Sequence, residues 1–437
     1  MTWAAAVLAI PGAASALGLW RLPISLAVCL HLLLVATVGL AAHGRLAADR
    51  PGTDRLTDFY LLVSVGGALG GLLGGLLAPV VLDRPLEYPL VLALVPALVA
   101  GRRRSTEPAS RFAAVLAGLV VTALVVIGSA AVAPSPTTLT AAGVAGFCVL
   151  VALLVRRPTW VTPLLVATVA VSVLDPRGVL LRDRTFFGSY RVTEGGDQIT
   201  LQHGTTVRGW QLLDDENGSV PTSYYARSGP LGDVFADDEG LGRVAVVGLG
   251  AGTVASYGRD GQRMDLYEID PAVVAIAQDE RYFTYLAGSD ADLHVVVGDG
   301  RLGLADAPTG VYDLIVLDAF SSDAIPVHLL TREALATYRD RLGSGGMLAV
   351  HVTNRHLDLR PVLAAAGRDL GMAVVERRDA EPEEPATAST WVVLAPVASS
   401  VDRLMERPGW EWTEADGSRA WTDDYSSIVD VLDISSR

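Results

Sequence analysis

The stretch RVAVVGLGAGTVASYGRDGQRMDLYEID (243–270) decides the fold. It opens with an unbroken apolar run that ends in Gly248-Leu249-Gly250-Ala251-Gly252, and it returns as a second apolar run ending in Glu268-Ile269-Asp270. Apolar runs without alternation belong to strands buried on both faces, as in a parallel sheet covered by helices. A glycine turn at the end of such a strand lets backbone approach a ligand closely. An acid about 20 residues further on stands where ribose hydroxyls find an acceptor.

The same rhythm continues through LHVVVGDG (293–300), YDLIVLDAF (312–320), GGMLAVHVT (345–353), MAVVERRD (372–379) and TWVVLAP (390–396). Helical patterns such as TREALATYRDRL (331–342) and LRPVLAAAGRDL (359–370) lie between them. The spacing predicts a doubly wound, mostly parallel sheet of seven strands over 241–435, Rossmann-like and of the S-adenosylmethionine-dependent methyltransferase type. Ligands of such sheets bind beyond the carboxyl ends of the strands. Read in that order, the candidates are Gly248, Gly250 and Gly252, then Glu268 and Asp270, then Asp299 and Gly300 for an adenine edge. The fourth strand ends at Asp318, which begins LDAFSSDAIP (317–326) with its second acid, Asp323. Asp270, directly before Pro271, is equally a helix cap. The third glycine of a GxGxxG turn is missing, so the row suits an S-adenosylmethionine-type nucleoside better than NAD.

Ahead of this sheet, 182–240 reads as a β-hairpin module, with turn signals at Glu194-Gly195-Gly196-Asp197 and Glu216-Asn217-Gly218 between β-rich runs. Residues 1–175 differ in kind. Their apolar runs give about seven spans (3–20, 22–42, 59–82, 88–101, 112–133, 138–155 and 160–175), and a bilayer takes about 20 apolar residues. The run SVGGALGGLLGGLLAP (64–79) carries glycine pairs every four residues, a flat strip for close helix packing. This half is read as a multi-pass domain of the inner membrane in contact with lipid.

Charge divides the chain in the same place. There are 11 Arg against 7 Asp and Glu before residue 176, and 23 against 41 after it, a balance of +4 and −18. An acidic soluble half argues against nucleic acid. The two cysteines lie in apolar runs and the seven histidines lack ligand spacing, so no metal is expected.

Together these residues resemble the spermidine synthase (polyamine aminopropyltransferase) family, in particular its bacterial membrane-fused members, over about residues 182–435. The matching positions are SYRV, HGTTVRGWQ with Gln211, the Tyr224-Tyr225 pair, GLGAG, YEIDP, GDGR and LDAFSSDAIP through LLT. The resemblance implies decarboxylated S-adenosylmethionine as co-substrate, with Glu268 on the ribose and Asp299 on the adenine amino group. It implies a diamine such as putrescine as acceptor, with Asp323 as base and Asp318 as substrate anchor. Tyr224, Tyr225, Asp423 and Asp424 would line the amine site, and a homodimer is allowed. The sequence departs from the family where the acid between the glycines becomes Ala251, and in the four residues between Asp318 and Asp323. Two alternatives therefore stand beside aminopropyl transfer: methyl transfer from S-adenosylmethionine, and a non-catalytic nucleoside- or polyamine-binding domain on a membrane scaffold. Such nucleosides are cytoplasmic, which places the soluble half there, whereas the arginine distribution across the spans mildly favours the other side.

Overall fold

The computed structural model describes residues 2–17, 24–100, 158–172, 178–204, 206–214, 218–236, 240–319, 326–354 and 357–432. The chain divides into two units, Met1–Arg177 and Gly178–Arg437. The expected spans 112–133 and 138–155 and the expected base Asp323 lie outside the described residues.

The first unit is helical: α1 (Thr2–Ala16), α2 (Ile24–Ala48), α3 (Leu56–Gly71), α4 (Glu87–Ala100) and α5 (Pro158–Ser172). Past Gly71 the α3 rod continues through a π-helical turn, Leu72–Leu77, to Val81. Ala5, Ala9 and Ala13 of α1 pack with Leu34, Leu92 and Val95 in a small core. Among the described residues two helical stretches, Leu26–Ala48 (23 residues) and Thr53–Val81 (29 residues), are long and apolar enough to cross a membrane. The glycine strip of α3 meets no neighbour within 4 Å of where a Cβ would stand at Gly66, Gly70 or Gly74, so no packing partner for it is present among the described residues.

The second unit holds two sheets. β1 (Val179–Arg184), β2 (Ser189–Gly195), β3 (Gln198–His203) and β4 (Thr206–Leu212) form an antiparallel meander in sequence order. The first of the two expected turns joins β2 to β3, whereas Glu216 and Asn217 lie outside the described residues, after the last strand of this sheet. The larger sheet contains β5 (Arg243–Val247), β6 (Arg263–Glu268), β7 (Asp292–Val297), β8 (Tyr312–Leu317), β9 (Leu342–His351), β10 (Ala373–Asp379), β11 (Ser389–Ala395) and β12 (Trp410–Trp412). Its order is β12-β10-β11-β9-β8-β5-β6-β7.

Among the described residues the sheet thus has eight strands rather than the seven the sequence predicts. The added one, Trp410–Trp412, pairs antiparallel with β10 at the edge. Three residues are too few to show a strand period, and Trp410 is held there by burial and by Nε1 donating to Asp233 at 2.8 Å. The sheet is also mixed: β11 runs antiparallel to both its neighbours, β9 and β10, while β5 to β9 are parallel.

Successive residues of a strand face opposite sides, and here they feed two cores. Val244 and Val246 face the side that also holds Tyr190, Val192 and Leu201 of the meander. Ala245 and Val247 face the helices on the other side, α8 (Arg332–Arg341) and α9 (Arg360–Leu370). Between β5 and β8 the order reverses, since β6 and β7 extend one way and β8 and β9 the other. A crevice opens at such a switch point, beyond the carboxyl ends of the strands.

Candidate active site

A cavity of about 250 Å³ occupies that position. Its floor is the turn after β5, and its backbone geometry explains the glycines. Gly248 has φ of 96°, and a Cβ there would fall 2.2 Å from the Asp318 carbonyl oxygen. Gly250 has φ of 54°, and its Cβ would come within 3.0 Å of the Arg208 carbonyl. Both conformations are strained for any side chain, so this turn is fixed by chain crossing on both sides.

Glu268 ends β6 and lines the cavity. Its Oε2 accepts from the Leu249 N–H at 3.0 Å and its Oε1 from the Asp270 N–H at 2.9 Å. The Ile269 N–H is a third backbone donor to this carboxylate, whose acceptor capacity is therefore reduced but not exhausted. Burial pushes this carboxyl up from its ordinary value, with the neighbouring Asp270 charge adding to the effect and the backbone donors opposing it.

Asp270 is placed differently. It is buried, caps α6 (Pro271–Gln278) by accepting from the Ala272 N–H at 2.9 Å, and accepts from the Thr185 hydroxyl of the β1–β2 connection. It does not line the cavity.

Asp299 caps α7 (Gly300–Asp306), accepting from Leu302 N–H at 3.0 Å, and meets His328 Nε2 at 3.0 Å. Asp299, Gly300 and His328 all line the cavity. Asp318 lines it from the end of β8 and is 8% exposed. One of its oxygens accepts from the Tyr225 hydroxyl, and the other meets His351 Nδ1 at 2.8 Å. Burial and the Asp318 charge push the Tyr225 hydroxyl well above its ordinary value, so it stays a donor. Tyr224 lies beside it, with its ring stacked on the His351 imidazole at 4.2 Å between centroids.

The meander roofs the cavity with Phe187, Tyr190, His203 and Arg208. Burial lowers the His203 imidazole from its ordinary value, and the Arg208 charge adds to that. Ala251 points elsewhere. It is 1% exposed, and a Cβ on Gly209 of β4 would come within 3.0 Å of its methyl group.

The structure therefore brings Gly248, Gly250, Glu268, Asp299, Gly300, Tyr224, Tyr225 and Asp318 to one cavity, and leaves other candidates outside it. Gly252 takes φ of 85° in the turn but lies behind the lining residues. Gln211 is buried and committed: Nε2 donates to the Gly218 carbonyl and to Thr284 Oγ1, both at 2.6 Å, and Oε1 accepts from Thr284 N–H at 2.8 Å. Asp423 forms a two-pronged pair with Arg301, both contacts 2.7 Å, and accepts from Thr331 Oγ1 at 2.8 Å; Asp424 is exposed. Sequence reading missed His351, Arg208 and His328. The strand-end rule, carried to the fifth strand GGMLAVHVT, points at His351; Arg208 lies within HGTTVRGWQ without any periodic signal, and His328 has none.

Sheet order and crevice together define an α/β domain with a mixed sheet and a cavity where its strand order reverses. No family model matches the chain. Over 114 residues it is 39% identical to a polyamine aminopropyltransferase of Vibrio vulnificus, a match covering 25% of this chain and 37% of that protein. The chain thus spans little more than a third of the curated relative it matches. Among solved structures it is similar to a probable spermidine synthase from Corynebacterium glutamicum, at 14% identity and TM-score 0.43 over 58% of this chain and 99% of that one. It is also similar to the spermidine synthase of Thermotoga maritima, at 13% identity and TM-score 0.39 over 52% and 75%. The curated relative bears out the resemblance to the spermidine synthase family read from the sequence.

Proposed function

We propose that the chain is a membrane-anchored aminopropyltransferase that moves the aminopropyl group of decarboxylated S-adenosylmethionine to a diamine such as putrescine. One observation carries this reading: a buried carboxylate, Asp318, faces the same cavity as Glu268 and Asp299. The spacing of roles follows from the chemistry. Glu268, with acceptor capacity left beside its backbone donors, accepts from the ribose, and Asp299 accepts from the adenine amino group.

An amine attacks only when neutral, yet diamine nitrogens are protonated near neutral pH. A carboxylate must hold the ammonium and take one proton before the nitrogen lone pair bonds to the carbon beside the sulfonium. The carbon–sulfur bond then breaks, its electron pair returns to sulfur, and methylthioadenosine leaves. Asp318 suits the holding role, since each oxygen receives one donor from the protein and keeps a lone pair for the amine. Asp323, five residues further along the sequence, is retained as the proton acceptor.

Calorimetric titration of the detergent-solubilised chain with both nucleosides, followed by assay of methylthioadenosine release with putrescine, tests the reading. Tighter binding of the decarboxylated nucleoside and diamine-dependent release are expected. Binding of neither nucleoside would falsify it. A second reading, methyl transfer from S-adenosylmethionine, is favoured by one feature: Ala251 supplies no acid for a primary amine, while Arg208 is a cationic residue lining the same cavity that a ligand carboxylate would meet. In that case the preference reverses and the product is S-adenosylhomocysteine.

A further inference from the structure

A chain of hydrogen bonds runs behind Asp318, on the side away from the bond that is made and broken. The Thr390 N–H donates to Thr353 Oγ1 at 2.8 Å, and Thr353 Oγ1 lies 2.6 Å from His351 Nε2. His351 Nδ1 in turn lies 2.8 Å from Asp318. An ionised Asp318 only accepts, so the Nδ1 it meets carries the imidazole hydrogen. In the neutral ring Nε2 is then the acceptor and the Thr353 hydroxyl donates to it, because the partner of one ring nitrogen sets the tautomer at the other. The side chains of His351 and Asp318 are 6% and 2% exposed. The ring is clamped between Tyr224 at 4.2 Å and Trp391 at 4.9 Å.

We propose that His351 is a positioning residue for amine transfer: held at Nε2 by Thr353 and donating from Nδ1, it aims the Asp318 carboxylate so that the free lone pairs of both oxygens face the acceptor amine. Tyr225 supplies the matching donor on the other oxygen. This rests on the amine-acceptor reading of the cavity, though not on the choice of donor nucleoside. Asp318 from β8, Tyr224 from the segment after the meander, Trp391 from β11 and Thr353 beyond its own strand face His351, and Tyr225 meets Asp318 and Tyr224 beside it.

The test compares His351→Leu, His351→Asn and Thr353→Val in the full chain, with nucleoside affinity, kcat, KM for the amine and the pH profile as readouts. Leucine removes the donor; asparagine keeps an N–H near the place of Nδ1. For His351→Leu we expect kcat to fall roughly 10- to 100-fold, the scale of lost outer partners, with nucleoside affinity unchanged. The acid limb of the pH profile should move to higher pH, because the ionised carboxylate has lost a donor. His351→Asn should restore the limb and most of kcat, and Thr353→Val should shift it part of the way. An unmoved limb in His351→Leu, or loss of nucleoside affinity and folding in parallel with kcat in all three variants, overturns the proposal. If the unaltered chain binds neither nucleoside, the functional reading fails before this one is reached.

Discussion

Glu268 and Asp270 stand two residues apart at the end of one strand, yet they do different work. Glu268 faces the cavity with acceptor capacity to spare, whereas Asp270 is buried under Thr185 and a helix N-terminus. Glu268→Gln should weaken nucleoside binding by about 1.5–3 kcal/mol, the range for a hydrogen bond to a charged group, with little change in melting temperature. Because burial raises the Glu268 carboxyl, the unaltered protein should lose affinity as pH falls through a value above the ordinary carboxylate range, and the Gln variant should lose that dependence. A titration series from pH 7 downward checks both. Asp270→Ala should show the reverse pattern, a drop in stability of about 1–2 kcal/mol from the lost cap with nucleoside affinity intact. Ala251→Asp, which would restore the family's acid, meets Gly209 in a closed space; it should destabilise by about 2–4 kcal/mol, read by thermal melting, for want of a partner for the buried charge.

At the scale of elements, the C-terminal segment shows how a sequence motif is used structurally. WTDDY carries two acids that look like an amine site, but Asp423 reaches Arg301 and Thr331 instead, and Trp421 is buried. The Arg301 guanidinium, then the Thr331 hydroxyl, hold the Asp423 carboxyl down to about 2. A depressed acid contributes stability that is present above its unfolded value and is lost as pH falls through about 2. Since Asp423 is half exposed, that contribution is small after solvent screening, on the order of 1 kcal/mol or less. Asp423→Ala should therefore loosen the docking of residues 421–425, seen as faster amide exchange there, without altering nucleoside affinity. The eighth strand belongs to the same scale, since its pairing depends on an indole bonded to Asp233, far away in the chain.

The whole molecule joins a helical unit with two span-length helices to an acidic unit carrying the cavity. On the proposed reading the full chain should sediment with membranes and stay there through an alkaline wash, and a C-terminal reporter fusion should be active on the cytoplasmic side. Release of the chain by alkali would remove the anchor from the proposal.

What the amino-acid order determined by itself is local. Unbroken apolar runs specify strands, glycines at their ends specify a tight turn, and the strand-end rule collects Gly248, Glu268, Asp299 and Asp318 without coordinates. Tertiary structure decided which polar groups are spent and which are left over. Gln211 is consumed by Thr284 and Gly218, Asp270 by Thr185 and a helix end, and His351 meets Asp318 from a neighbouring strand. The physical reason is that a buried polar atom must find its partner among spatial neighbours. Those neighbours are fixed by a sheet order that leaves sequence order at β5 and β8, which periodicity along the chain does not encode.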